Sequence, residues 1–250
     1  MWVVAGSLSA ASAWPAMAEP ANRKKPAAEE AATPAPKKKA RPKATPEPAS
    51  DAPEPSAAAK SAAAVTASIL PEELLEYRAQ PAGVRKLIES SLALTRQNLT
   101  YTFGSADPAA GGMDCSGFIY YTLRQYGLTQ VPRDSSGLYV WTRHARGFRA
   151  VISRKPDSFE LDELLPGDLL FWVGTYATEH DPPISHVMIY LGTEKEGGGK
   201  VMVGSSDGRS YHGQKRNGVS VFDFTMPRTP AAGDQRSTFV GYARIPGLRD

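Results

Sequence analysis

The stretch Met113–Gly127, MDCSGFIYYTLRQYG, decides how the rest of the sequence is interpreted. It places Cys115, the only cysteine of the 250-residue chain, directly before a helical run that stops at a glycine. A cysteine at a helix start faces unpaired N–H groups and the positive end of the macrodipole, and both favour the thiolate. We therefore expect the pKa of this thiol to lie below the roughly 8.5 of a free cysteine, and Cys115 to be a nucleophile.

A base for this nucleophile stands further along the chain. His186 heads the run SHVMIYLG, residues 185–192, which is strand-like and ends in a glycine. The order cysteine before histidine is that of papain-like enzymes, so a base on a sheet would face a cysteine on a helix. The remaining histidines lie in polar stretches and are expected at the surface: His144, His180 and His212.

The periodicity of the chain predicts helices first and a sheet afterwards. Apolar residues at helical spacing follow Leu70 and Val84, so two helices are expected before the cysteine. Short apolar runs bounded by glycine, proline and charge then predict antiparallel strands. These runs are Leu169–Trp172, Val187–Leu191, Lys200–Gly204, Val219–Phe224 and Phe239–Ile245. The predicted fold is α+β and papain-like, with the nucleophile at a helix start packed on an antiparallel sheet.

The first 65 residues differ in composition from the rest. Residues 1–18 carry no charge and end in Ala16-Met17-Ala18, as at a signal-peptidase site, although no basic residue precedes the apolar stretch. Residues 19–65 are rich in Ala, Pro and Lys and predict a disordered linker, and residues 66–250 the folded domain. We expect an exported protein, periplasmic or cell-wall associated.

Charge and composition exclude several classes of function. The net charge of +3 belongs to residues 1–65, which hold nine Lys or Arg and six Asp or Glu, so the domain is formally neutral and gives no footprint for nucleic acid. No later run is long enough for a membrane span, so no stable membrane insertion is expected. His and Cys are too few for a convincing zinc site, and we predict neither a metal nor a cofactor. The oligomeric state is not predicted.

Four motifs in one order resemble the NlpC-type family of bacterial papain-like cysteine peptidases. They are Asp114-Cys115-Ser116-Gly117, Pro132-Arg133-Asp134-Ser135-Ser136, Pro166-Gly167-Asp168-Leu169-Leu170-Phe171 and His186-Val187-Met188-Ile189-Tyr190-Leu191-Gly192. The resemblance implies that peptidoglycan stem peptides are the substrate and partner. It also implies attack by the Cys115 thiolate on an amide, commonly the one between D-glutamate and a diamino acid. His186 would protonate the leaving amine, and the thioester acyl-enzyme would hydrolyse.

The resemblance extends to substrate-binding positions, each with a structural alternative. Tyr101 would offer its hydroxyl to the oxyanion or the substrate, or be a packed aromatic residue. Asp114 and Ser116 would hold the free amino end of a stem peptide, or Asp114 would cap the helix. Arg133 and Ser135 would belong to a substrate-side loop, with Arg133 reading a carboxylate or forming a structural ion pair.

The chain departs from the family where a third catalytic group would orient His186. That position, on the strand after the His186 strand, is occupied by Val203, which cannot orient an imidazole. Because side chains alternate along a strand, Ser205 shares the face of Val203 and is the predicted third group, whereas Ser206 would point away. Asp207, a backbone carbonyl or a water are the alternatives.

The predicted function is therefore a secreted cysteine endopeptidase of peptidoglycan. Two other functions stay open: a non-catalytic cell-wall-binding module, which the valine favours, and a thiol amidase or acyltransferase on another substrate. The segment Leu138–Arg149, rich in Arg and aromatic residues, is expected to wall the cleft.

Overall fold

The computed structural model describes residues 63–226 and 237–249. The predicted signal peptide and nearly all of the predicted linker lie outside the described residues. The start of the domain at residue 66 therefore stays a prediction. No helix within the described part of the chain is long and apolar enough to cross a membrane.

The described residues form three α-helices and a six-stranded sheet with short accessory strands. The helices are α1 (Ala82–Thr95), α2 (Cys115–Tyr126) and α3 (Ser135–His144). The strands are β1 (Thr100–Tyr101), β2 (Gly112–Met113), β3 (Phe148–Ala150), β4 (Leu169–Val173), β5 (Ile184–Thr193), β6 (Lys200–Ser206), β7 (Ser210–Tyr211), β8 (Gln214–Lys215), β9 (Gly218–Asp223) and β10 (Thr238–Ala243). This mixture of helices and antiparallel sheet confirms the predicted α+β fold.

The first of the two helices predicted before the cysteine is wrong. The segment after Leu70 forms short 3₁₀ turns, at Pro71–Glu73 and Tyr77–Ala79. Its backbone pairs with the sheet instead: Leu75 donates its N–H to the Thr193 carbonyl at 2.8 Å. A helix would have used this N–H internally, so the contact with β5 replaces helical hydrogen bonding.

The large sheet has the strand order β3-β10-β4-β5-β6-β9, and every neighbouring pair is antiparallel. Alternate side chains of its strands enter two separate apolar clusters. Val187 and Ile189 of β5 pack in the cluster that contains the helices, whereas Met188 and Tyr190 pack in the other. The face of β5 on which a residue lies therefore decides whether it meets the helices.

Helix α2 begins at the cysteine because the residue before it is a cap. Asp114 has extended backbone angles, and its Oδ1 accepts a hydrogen bond from the N–H of Gly117 at 2.5 Å. The helix ends at Gly127, whose φ of 113° lies in the left-handed region that glycine tolerates best. The helical run predicted between the cysteine and this glycine is confirmed.

The start of α2 lies directly against the loop that precedes it. A Cβ atom on Gly117 would overlap the carbonyl group of Ser105, so only glycine fits at this position. The same carbonyl accepts a hydrogen bond from the N–H of Asp114 at 2.9 Å. The loop and the helix start are thus joined directly beside Cys115.

The turn before β4 is organised by a buried carboxylate. Asp168 accepts a hydrogen bond from the N–H of Leu165 at 2.9 Å, and its side chain pairs with the Arg244 guanidinium. The Arg249 guanidinium lies 3.9 Å from the other carboxylate oxygen. Asp168 therefore fixes the entry of β4 and takes no part in the cleft.

Candidate active site

The Cys115 thiol is buried at the first position of α2. The residue is 5% exposed, and the backbone N–H groups of Val187, Ser116 and Cys115 itself point at the sulfur. Burial raises the pKa of the thiol to about 12, and the negative charge of Asp114 adds to the rise, while the three N–H groups oppose it. The prediction that the helix start lowers this pKa is therefore wrong, because loss of solvation outweighs the field of the helix.

His186 lies on β5 opposite Trp172 of β4, and the centres of the two rings are 5.8 Å apart. It is 6% exposed, and its Nε2 is buried without a hydrogen-bond partner among the described residues. Burial, and after it the positive charge of Arg209, holds the pKa of the imidazole well below its usual value. The ring is therefore neutral at pH 7, and its basicity is lower than that of a free imidazole.

The thiol and the imidazole line two adjoining cavities. The larger, about 510 Å³, is lined by His186, and the smaller, about 260 Å³, by Cys115. Both cavities share three wall residues, Tyr101, Phe103 and Tyr176. The rings of Phe103 and Tyr176 meet edge to face at 5.9 Å. A ligand that bridges the cavities must pass these aromatic residues.

Asp114 is engaged on both of its oxygens. The Arg133 guanidinium makes two contacts with it, to Oδ1 at 3.1 Å and to Oδ2 at 2.9 Å. Oδ2 also accepts a hydrogen bond from the Gly104 N–H at 2.8 Å. The helix cap and the ion pair, the two structural alternatives raised for these residues, are both present. Their substrate-binding roles stay predictions.

The other predicted substrate-binding residues also lie at the smaller cavity. Ser116 Oγ donates to Asp114 Oδ1 at 3.1 Å and accepts from Arg133 at 3.0 Å. Ser135 Oγ donates to the Ile184 carbonyl at 2.7 Å, which ties α3 to the start of β5. Burial, and after it the charges of Cys115 and Asp114, raises the pKa of Tyr101, so its hydroxyl keeps its proton.

The structure does not bring Ser205 to the imidazole. Ser205 Oγ donates to the Met113 carbonyl at 2.6 Å, on the side of the sheet that faces the helices. Ser206, expected to point away, lines the larger cavity together with His186. The alternation argument was right for Ser205 and Val203, but His186 pairs with Trp172 and lies on the other face of the sheet. Geometry therefore does not support Ser205 as the third group.

A family model for the NlpC/P60 family matches residues 98–223, half of the chain. The chain belongs to the NlpC/P60 family. The matched range contains Cys115, His186 and every residue that lines the two cavities except Ser237. Membership supports, in general terms, a function of the peptidase or cell-wall hydrolase type.

One solved NlpC/P60 structure, from Staphylococcus aureus and described as similar to a lipoprotein, is 24% identical to this chain with a TM-score of 0.36. The similarity covers 56% of this chain and 36% of that one, so the matched part is little more than a third of that protein. No curated protein matches this chain.

Several residues of this NlpC/P60 site were not found from the sequence. Phe103, Tyr176 and Arg209 line the cavities although they belong to none of the four motifs. The available signal for Tyr176 was its place just after β4, next to the strand that carries His186. By contrast, the segment Leu138–Arg149, expected to wall the cleft, contributes no residue to either cavity. No group of three or more His, Cys, Asp or Glu side chains suited to a metal ion occurs within residues 63–226 and 237–249.

Proposed function

We propose that this protein is a secreted cysteine peptidase that hydrolyses peptidoglycan stem peptides at the amide between D-glutamate and a diamino acid. The observation that carries the proposal is that Cys115, at the start of α2, and a neutral His186 line adjoining cavities that share three wall residues. Membership of the NlpC/P60 family supports the class of substrate.

The chemistry begins from a neutral thiol and a neutral imidazole. Because burial raises the pKa of Cys115 and lowers that of His186, both groups favour their neutral forms at rest. The thiol proton passes to the imidazole as sulfur attacks the amide carbon. His186 then gives this proton to the leaving amine, and water hydrolyses the thioester.

Negative charge that develops during attack meets donors at the helix start. The backbone N–H groups around the sulfur stabilise charge there, and the N–H of Cys115 is a candidate donor to the oxyanion. Tyr101, whose hydroxyl keeps its proton, lines both cavities and would supply a second donor. Hydrogen-bond donors act strongly here because the thiol is buried away from water.

The smaller cavity would hold the amino-terminal part of the stem peptide. Its wall carries the Asp114–Arg133 ion pair and the hydroxyls of Ser116 and Ser135. The Arg133 side chain is 36% exposed, so part of the pair is open to the cavity. We propose that the free amino end lies against this pair. The charge-free leader proposed for residues 1–18 would place the domain in the periplasm or at the cell wall.

Mass spectrometry of defined stem peptides tests the proposal. The full chain is incubated with them in reductant, with Cys115→Ala as the matched variant. We expect cleavage between D-glutamate and the diamino acid by the wild type and none by the variant. Folded wild-type protein that leaves every peptide intact would overturn the proposal.

A second candidate function is a non-catalytic wall-binding module. It is favoured by the buried Nε2 of His186, which no described residue orients. This function predicts that stem peptides bind the wild type and Cys115→Ala equally, and that the wild type does not turn them over. Single-turnover analysis of the same peptides separates the two functions.

A further inference from the structure

Arg209 lies in the loop between β6 and β7 and lines the larger cavity beside His186. Its guanidinium stacks on the ring of Trp172, 4.2 Å from the ring centre. Trp172 is in turn the residue paired with His186 across the sheet. A fixed cation therefore stands next to the candidate base.

This cation has no counter-ion among the described residues. Arg133, Arg149 and Arg244 each pair with a carboxylate, whereas Arg209 takes part in none of the ion pairs formed there. Burial lowers the pKa of its guanidinium to about 10, so it stays charged at neutral pH. A charge removed from water without a partner is costly, and a ligand anion in the cavity would offset that cost.

Because Arg209 lies beside His186, its position determines which part of a substrate the guanidinium can contact. In the proposed reaction His186 gives its proton to the leaving amine, so the atoms next to it belong to the residue that leaves. A guanidinium there contacts groups of the diamino acid rather than groups of the D-glutamyl residue held on Cys115.

We propose that Arg209 binds a free carboxylate on the side chain of the leaving diamino acid and so selects stem peptides that carry one. The inference rests on the proposed function. Asp207 lines the same cavity and suits an ammonium group. The side-chain end of diaminopimelate carries a carboxylate and an ammonium group on one carbon, so it matches both Arg209 and Asp207. The side chain of lysine offers the ammonium group alone.

A matched pair of substrates tests this selection without changing the protein. The two peptides share L-alanyl-γ-D-glutamyl-diaminopimelate and differ only in whether the far carboxylate is free or a carboxamide. We expect the wild-type full chain to prefer the free acid by about 10- to 100-fold in kcat/KM, as a charge-assisted hydrogen bond implies. The lysine peptide should behave like the carboxamide. Equal kcat/KM values for acid and amide would overturn the inference.

Variants then assign the preference to one residue. Arg209→Gln should abolish the ratio of kcat/KM between the free acid and the carboxamide, because the loss of charge beside His186 affects both substrates alike, while Arg209→Lys keeps part of the preference. Arg143→Gln is the control, because the Arg143 guanidinium also lies over an aromatic ring, 5.5 Å from the centre of Tyr139, but outside both cavities. An Arg209→Gln variant that still selects the acid would contradict the assignment.

Binding separates this inference from the proposed reaction. Calorimetry with the Cys115→Ala full chain should show the same preference for the acid, lost on adding Arg209→Gln. If no peptide is cleaved but this preference is present, the peptidase proposal fails and the assignment of Arg209 stands. If the acid and the amide bind equally, or neither binds, the assignment fails even where cleavage is observed.

Discussion

The Ser205 hydroxyl donates a 2.6 Å hydrogen bond to the carbonyl of Met113, two residues before the candidate nucleophile. The donor comes from β6 and the acceptor from the end of β2, so this bond ties the sheet to the approach of α2. Ser205 is fully buried, and its hydroxyl stabilises the position of the helix start rather than the imidazole.

Ser205→Ala should therefore lower stability, not alter the base. We expect the free energy of unfolding to fall by about 1–2 kcal/mol, since the Met113 carbonyl loses a buried partner. The pH dependence of Cys115 alkylation should stay unchanged. Urea denaturation measures the free energy of unfolding. Ser206→Ala, on the same strand, is the control for this measurement. Unaltered stability with a shifted pH profile would restore the catalytic role.

The Cys115 thiol should react slowly at neutral pH. Burial raises its pKa to about 12, so the thiolate fraction grows with pH throughout the neutral range. We expect alkylation by iodoacetamide to speed up about tenfold per pH unit between pH 7 and 9, without a plateau. Because Cys115 is the only cysteine, the total rate reports this site. A plateau below pH 8 would show a thiolate–imidazolium pair.

Asp114→Asn should make the thiol more reactive. The carboxylate raises the pKa of Cys115, whereas asparagine keeps the cap of α2 without the charge. We expect alkylation at pH 8 to become several-fold faster. Asp134→Asn is a matched control, because Asp134 caps α3 in the same way, with Oδ1 accepting from the Gly137 N–H at 2.8 Å. Equal acceleration in both variants would argue against a direct charge effect.

Asp168→Ala should be strongly destabilising. It removes the partner of Arg244 and the acceptor of the Leu165 N–H in a buried turn. We expect the free energy of unfolding to fall by about 2–4 kcal/mol. This is somewhat below the range for a fully buried ion pair, because Arg244 is partly exposed. Glu163→Ala breaks the exposed pair with Arg149 and should cost under about 1 kcal/mol. Similar losses in both variants, measured in urea, would contradict this account.

The helix that starts at Cys115, the strand that carries His186 and the fold class could be predicted because their signals are local. Asp114 and Gly127 bound the helix that carries Cys115, and the apolar run after His186 marks a strand. The first predicted helix failed since the segment after Leu70 hydrogen-bonds to β5, a strand more than a hundred residues away. No local pattern reports such a contact.

The third group and the thiol pKa were beyond sequence reasoning for a similar reason. Counting alternate residues along β6 placed Ser205 correctly, but His186 lies opposite Trp172 of β4, a pairing that the sequence of β6 does not report. The helix start does direct N–H groups at Cys115. The effect of these N–H groups on the pKa of Cys115 is outweighed by burial, which arises only when α2 packs against β5.

The close fit between Gly117 and the Ser105 carbonyl bears on recognition as well as on folding. The loop before α2 is held to the helix by this contact and by the hydrogen bonds of Asp114, so the wall of the smaller cavity is already formed before a ligand arrives. Recognition at a preorganised wall avoids the entropic cost of ordering a loop, and more of the interaction energy becomes affinity. For a ligand of the smaller cavity we therefore expect selectivity from the fit to a preformed wall and its charges, not from closure around the ligand.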